Sequence, residues 1–415
     1  MGDGKKWGEL FKEIPALTLP PLTNEVIRFN IGDNGFQPPK AFLESLRKVI
    51  SEEWKTREIH KMVEEQGIKG LREKIAEKVL PEIHGLKNYD ADQILITCGG
   101  QAGINVVLSW FSCHHPNGEI IIPTPFYPYH ARAAILSTHR EPRYVKAEIS
   151  GERITVDIQA LREVFESLND RPVLLILCSP NNPAGYVLNQ KELKEITEVV
   201  CAHRKAYVLS DEVYTTFVYN GEFKSIASIS DEIRSKTFVL GSFSKIYGLT
   251  GWRIGYVVAP SSEITKPPKE MIPGITELHD NLNIQPATVA QRILEVALEY
   301  DSPFREIREI WVPDLKKRRD LLYKGLKNLD GIKPNMPEGA FYIFAEVREN
   351  FIKEFRKDEK SPLCDRARNY LYEKAKILVA PGLSFGKEYE NYLRLAFSWE
   401  PLDRIEEAIE RLSKL

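Results

Sequence analysis

Through the middle of the chain, short and almost wholly apolar runs alternate with longer stretches whose apolar residues recur near helical spacing. Residues 93–97, 119–122, 172–177, 206–210 and 237–240 read as strands, and 102–110 and 188–204 as helices. Strands this apolar are covered on both faces, which predicts a largely parallel sheet with helical crossovers. In such sheets ligands gather beyond the carboxyl ends of the strands, so the residues just after each run are where chemistry is expected. The C-terminal part reads differently. A long basic amphipathic helix over 311–329 is followed by a strand over 338–344, a turn over 381–386 and a strand over 392–398. These predict a second, smaller α+β unit.

Composition narrows the class. At 415 residues the chain can bury one large core or two linked ones. The net charge of -2 argues against a nucleic-acid surface, which needs a basic excess. Cys98, Cys113, Cys178, Cys201 and Cys364 are scattered, odd in number and without metal-ligand spacing. They read as reduced thiols in a cytoplasmic protein, with no metal site. No apolar run is long enough to span a bilayer, and the N-terminus is polar and charged, without a secretory signal.

The most informative stretch leaves the run 237–240: Ser242-Phe243-Ser244-Lys245-Ile246-Tyr247-Gly248-Leu249-Thr250-Gly251-Trp252-Arg253-Ile254-Gly255. It sets a lysine between hydroxyls, with an arginine eight residues on. Lysine amines form Schiff bases with aldehydes, and hydroxyls plus a guanidinium hold phosphate. Pyridoxal 5'-phosphate carries both an aldehyde and a phosphate. The stretch resembles the signature of the class I/II aminotransferases of the type I pyridoxal-phosphate fold, Ser-x-Ser-Lys-x-x-Gly-Leu-x-Gly-x-Arg-x-Gly, at every fixed position. The resemblance implies that Lys245 holds the cofactor at rest and later shuttles a proton. It implies a phosphate site at Ser242 and Arg253, with Ser244 a further member.

The other strand ends agree with it. Gly99-Gly100-Gln101 follows the first run and opens a helix. Glycines there often only make a turn, but the family places the cofactor phosphate at this point, which carries over to Gly100 and Gln101. After the second run comes Pro125-Phe126-Tyr127. Either ring could be core packing; the family's Pro-x-aromatic pattern makes Tyr127 the ring that stacks on the cofactor. After the third comes Asn181-Asn182-Pro183-Ala184-Gly185. It is similar to the family's Asn-Pro-Thr-Gly, with alanine for threonine, and Asn182 takes the place that meets the cofactor's phenolic oxygen and the substrate carboxylate. After the fourth comes Asp211-Glu212-Val213-Tyr214. A carboxylate at the end of an apolar strand needs a cation or several donors. Asp211 could equally be a helix cap. The resemblance pairs it with the pyridine nitrogen and gives Tyr214 a hydrogen bond to the phenolic oxygen.

Arg394 lies in the last predicted strand between apolar neighbours, and a buried arginine needs an anion. A structural ion pair would serve. The preceding Pro381-Gly382-Leu383-Ser384-Phe385-Gly386 is a family pattern, however, and implies that Arg394 binds the substrate α-carboxylate. Near the start, Phe29-Asn30-Ile31-Gly32-Asp33-Asn34 resembles the segment that lines the substrate pocket, so Gly32 joins the substrate side. Gly67-Ile68-Lys69-Gly70-Leu71-Arg72 matches another family element.

Two departures fall on the substrate side. Met62 stands where the family has a tyrosine that reaches the phosphate across a dimer interface, so either the local alignment is shifted or the phosphate has a different cross-subunit partner. Asp33-Asn34-Gly35-Phe36 replaces the usual Pro-Asp-Phe. No unambiguous second arginine marks a dicarboxylic substrate, and His279, Asp280 and Asn283 lie where a partner loop would approach.

The resemblance spans about residues 27–410. It implies an α/β fold: a large domain with a mainly parallel mixed sheet covered by helices, and a smaller α+β domain from both chain ends. Expected limits are 1–50 for the N-terminal arm and part of the small domain, 51–300 for the cofactor-binding domain and 301–415 for the C-terminal domain. It implies a homodimer with shared active sites and an aminotransferase working on an L-amino acid and a 2-oxo acid. The same fold and lysine also serve lyases and cyclases that eliminate or cyclise the side chain, which the two departures keep open. A non-enzymatic sensor module would need a DNA-binding domain, and fewer than thirty residues precede the matching region.

Overall fold

The computed structural model describes residues 23–260, 271–352 and 360–415. Its larger sheet is built from β1 (Ile94–Thr97), β2 (Glu119–Pro123), β3 (Arg143–Val145), β4 (Val173–Cys178), β5 (Ala206–Asp211), β6 (Thr237–Ser242) and β7 (Gly255–Val258). The spatial order is β1-β7-β6-β5-β4-β2-β3. The pairs β6–β5, β5–β4, β4–β2 and β2–β3 are parallel. β7 runs antiparallel to both β1 and β6.

Period-2 alternation explains why these runs are apolar throughout. On β4, Leu174 and Ile176 pack into one cluster with Leu209 of β5, while Val173, Leu175 and Leu177 pack into another with Val208. Helices α1 (Gly100–His114), α2 (Pro128–Thr138) and α3 (Gln190–Ala202) are among the covering layers. Asn189 starts α3 through a capping box with Glu192. The helix expected over 102–110 extends at both ends, because Gly100 supplies an earlier start and the buried Phe111 continues the apolar face.

The second sheet joins β8 (Ile332–Pro334), β9 (Tyr342–Val347), β10 (Ala380–Pro381) and β11 (Tyr392–Ala396) in the order β8-β9-β11-β10, all antiparallel. Its first long strand starts later than the pattern suggests. The N–H groups of Glu338 and Gly339 both bond to the Gly185 carbonyl, and Ala340 sits at φ 54°, so 338–341 is held as a turn against the loop after β4. The opening segment joins this end of the molecule. Ile27–Arg28 pairs parallel with Ile377–Leu378, and the Ala396 N–H donates to the Phe29 carbonyl at 2.7 Å. β7 was not singled out as a strand in the sequence, since its residues run on from the glycine-rich motif without a break.

Candidate active site

The carboxyl ends of β1, β2, β4, β5 and β6 open into one cavity of about 330 Å³. Gly32, Gly100, Gln101, Tyr127, Asn182, Asp211, Tyr214, Ser242, Ser244, Lys245, Arg253 and Arg394 all line it. The volume is in the range of small-molecule sites.

Lys245 sits on a single helical turn, α4 (Phe243–Ile246), where the Ser242 hydroxyl accepts from the Ser244 N–H. Its Nζ donates to the Gly32 carbonyl at 2.6 Å. Burial lowers the Lys245 pKa, the Asp33 carboxylate opposes that, and the positive charges of Arg394 and Arg253 add to the lowering. The result favours a neutral amine more than an exposed lysine would. The Asn34 amide donates to the Lys245 carbonyl at 3.0 Å, so the altered opening segment braces the turn that carries the lysine.

Asp211 ends β5 and is 3 % exposed. One carboxylate oxygen, Oδ2, meets His130 Nε2 at 2.8 Å; the other, Oδ1, is buried without a partner among the described residues. A buried carboxylate oxygen left bare is costly, and a protonated pyridine nitrogen is the kind of group that would satisfy it. Asp211 caps no helix. Sequence reading missed His130. It lies in the first turn of α2, three residues after Tyr127, and packs edge-on against that ring at 5.3 Å. A lone histidine gives no signal until α2 is laid across the end of β5.

A cradle suited to an anion forms where three backbones crowd. Gly99 is at φ 80°, and a Cβ there would lie 2.6 Å from Arg253 Nη2. A Cβ on Gly255 would lie 2.8 Å from the Gly100 nitrogen. These approaches aim the N-terminus of α1, the Ser242 and Ser244 hydroxyls and the Arg253 guanidinium at one place. Arg253 takes φ 56°, which only the surrounding contacts can hold for a residue with a side chain. Its Nη1 donates to the Thr250 carbonyl at 2.9 Å, and no acidic side chain pairs with it among the described residues. The residues therefore fit a phosphate-bearing, aldehyde-bearing heterocycle. His279 backs the cradle and was left without a role by its sequence alone. It is fully buried, and Nε2 accepts from the Cys98 N–H at 3.3 Å. Burial lowers its pKa to about 4, so it is neutral.

Across the cavity, Arg394 lies between the rings of Tyr342 and Phe385, with its guanidinium carbon 4.6 and 5.0 Å from their centroids. It donates to Asn182 Oδ1 at 3.2 Å and to the Asn30 carbonyl at 2.8 Å, and its Nε is buried without a partner. Among the described residues no carboxylate pairs with it, so its charge is left for a ligand.

Met62 does not line this cavity and is 66 % exposed. Its neighbours Lys61 and Val63 are tied to Thr288 and Gln285 by hydrogen bonds of 2.8 and 3.0 Å. Exposed Leu282 and Ile284 lie at the end of the helix Met271–Asn283 and just beyond it, next to Gln285.

Residues 24–412 match the model of the family "Aminotransferase class I and II". The chain belongs to that family. The aminotransferases of this family are pyridoxal-phosphate enzymes, and by family and by relatives this chain is an aminotransferase. It is 30 % identical over 393 residues to "Aromatic-amino-acid aminotransferase 2" of Thermococcus litoralis, covering 94 % of this chain and 91 % of the relative. It is 30 % identical over 397 residues to an "Aspartate aminotransferase" of Pyrococcus abyssi, with 94 % and 92 % covered. Among solved structures it is similar to an alanine aminotransferase from Pyrococcus furiosus, with a TM-score of 0.78, 28 % identity and 94 % and 91 % covered. The fold is therefore that of the type I aminotransferases. These names span aromatic, acidic and small side chains.

Proposed function

We propose that this aminotransferase holds pyridoxal 5'-phosphate on Lys245 and moves an amino group from an L-amino acid to a 2-oxo acid. The observation that carries the reading is the bare Asp211 Oδ1 in the same cavity as Lys245 and two arginines that meet no carboxylate among the described residues. When bound, the cofactor supplies an electron sink for the charge left at the substrate's α-carbon.

Every other task falls to the chain. Arg253, Ser242, Ser244, Gly100 and Gln101 hold the phosphate, and Tyr127 covers the ring. Asp211, oriented by His130, keeps a proton on the ring nitrogen. Asn182 and Tyr214 face the phenolic oxygen. Arg394 takes the substrate α-carboxylate in a bidentate grip, which turns the α-carbon toward Lys245. The lowered pKa of Lys245 suits it to act as a neutral amine that would take the proton from the substrate α-carbon and hold it for return. Gly32 offers the carbonyl that holds the lysine amine in reserve.

The active form is a homodimer in the cytoplasm. Exposed Met62, Leu282 and Ile284 support an apolar face beside the segment that backs the phosphate cradle. All five cysteines are free, which suits a reducing compartment. No helix among the described residues is long and apolar enough to cross a membrane. The N-terminal arm and part of the smaller domain fall to residues 1–50, of which 1–22 lie outside the described residues, the cofactor-binding domain to 51–300, and the rest of the smaller domain to 301–415. No relative named above is a lyase or cyclase, and no feature of the site favours that outcome.

The test is cofactor-loaded protein mixed with single L-amino acids without a 2-oxo acid. One equivalent of 2-oxo acid per site supports the reading. Catalytic formation of an elimination product would overturn it.

A further inference from the structure

We infer that Tyr342 is a positioning residue that joins the substrate-carboxylate site to the hydroxyl facing the cofactor's phenolic oxygen. Tyr342 and Arg394 are diagonal neighbours on the antiparallel pair β9–β11, where Phe344 pairs with Arg394 and Tyr342 with Ala396. Diagonal neighbours share a face, which brings the Tyr342 ring against the Arg394 guanidinium at 4.6 Å. The Tyr342 hydroxyl meets the Tyr214 hydroxyl at 2.8 Å, 128 residues away in sequence. Both rings line the cavity.

Direction matters in a hydroxyl pair. A tyrosine hydroxyl has one proton to donate. For Tyr214 to donate to the phenolic oxygen, its own oxygen must accept from Tyr342. Tyr342 therefore sets which way the Tyr214 proton points. Burial pushes the pKa of both hydroxyls up, and for Tyr342 to about 12, so both keep their protons across the working range. Gly32 is what lets the pair form, since a Cβ there would lie 2.7 Å from the Tyr342 hydroxyl oxygen. One side chain thus serves two ends. Its ring steadies the arginine and its hydroxyl orders Tyr214.

The inference rests on the proposed placement of Tyr214 at the phenolic oxygen, and the experiment separates the two. The visible band of the lysine-bound cofactor is titrated with pH, without substrate, in the wild type, Tyr214→Phe, Tyr342→Phe and the double variant. A donor on the phenolic oxygen draws charge away from the neighbouring protonated nitrogen, so losing it raises the pH of the transition. Tyr342→Phe is expected to raise it by roughly half to one unit. The double variant is expected to match Tyr214→Phe alone, because both changes remove one donor chain. Tyr342→Leu, which also removes the ring, is expected to raise KM for the amino acid further than Tyr342→Phe does. An unchanged Tyr342→Phe titration beside a shifted Tyr214→Phe one would overturn the inference. Additive shifts would do the same. An unchanged Tyr214→Phe titration would overturn the placement of Tyr214, and the inference with it.

Discussion

The cavity has two halves built in different ways. On the cofactor half, Gly100, Asp211, Ser242 and Lys245 end or follow strands of one mostly parallel sheet and Arg253 leads into another, and backbones separated only by glycines press together. On the substrate half, Arg394 and Gly32 come from the antiparallel sheet and the opening segment, and Tyr342 links this half to Tyr214 on the other. They are held by side-chain contacts between distant parts of the chain. Lys245 meets Gly32 across 213 residues, Arg394 meets Asn182 across 212 and Asn30 across 364. The lesson is that a site fixed by strand ends tolerates little change in backbone, whereas one fixed by side chains across a ladder can be retuned residue by residue.

The two halves should respond to substitution in different currencies. Lys245→Ala is expected to have the largest effect, removing the visible absorbance of the lysine-bound cofactor and lowering kcat by roughly 10⁴-fold or more. Retained turnover with native kinetics would remove Lys245 from its role. Asp211→Asn comes next. It keeps the shape and the bond to His130 but loses the charge beside the ring nitrogen, and kcat should fall by roughly 10²-fold or more while KM moves little. A pure KM effect there would assign Asp211 to the substrate half.

Arg394→Lys probes the other half. A point charge replaces a planar fork, so KM for the amino acid should rise about 10- to 100-fold while the cofactor's spectrum and its pH titration stay as they are. A changed cofactor spectrum would break the distinction between halves. The smallest effect concerns stability. The pKa of Lys245 is lowered from its ordinary 10.5 in the fold, so between the lowered value and 10.5 the folded protein binds fewer protons than the unfolded chain. Stability of the cofactor-free protein should therefore rise with pH through that window, and Lys245→Met should flatten the rise. Thermal melts of both proteins from neutral to alkaline pH would check it, and an unaltered slope would argue against a buried, destabilised ammonium.

Legibility in the sequence follows the same division. The cofactor half was readable because its residues sit at fixed offsets from apolar strands, and the signature over 242–255 is continuous. Arg394 was readable as a buried arginine, but what surrounds it was not. Tyr342 looked like one more aromatic in a strand, because its meaning lies in the register of β9 with β11. His130 was invisible for a similar reason, since only the packing of α2 across β5 brings it to Asp211. Asn34 stood out as a departure from the family pattern. Its purpose became plain only when its amide was found on the Lys245 carbonyl. The strand expected over 338–344 began late because Gly185, far away in sequence, claims the N–H groups of Glu338 and Gly339.

The central claim is that the two halves act together to move an amino group, and one spectrum addresses it. Cofactor-loaded protein is titrated with an L-amino acid in the absence of any 2-oxo acid while the visible band and the released 2-oxo acid are followed together. The account expects the lysine-bound band to give way to the aminated cofactor, with one 2-oxo acid per site and no further turnover until an acceptor is added. A band that returns to its starting form while product keeps accumulating would contradict it.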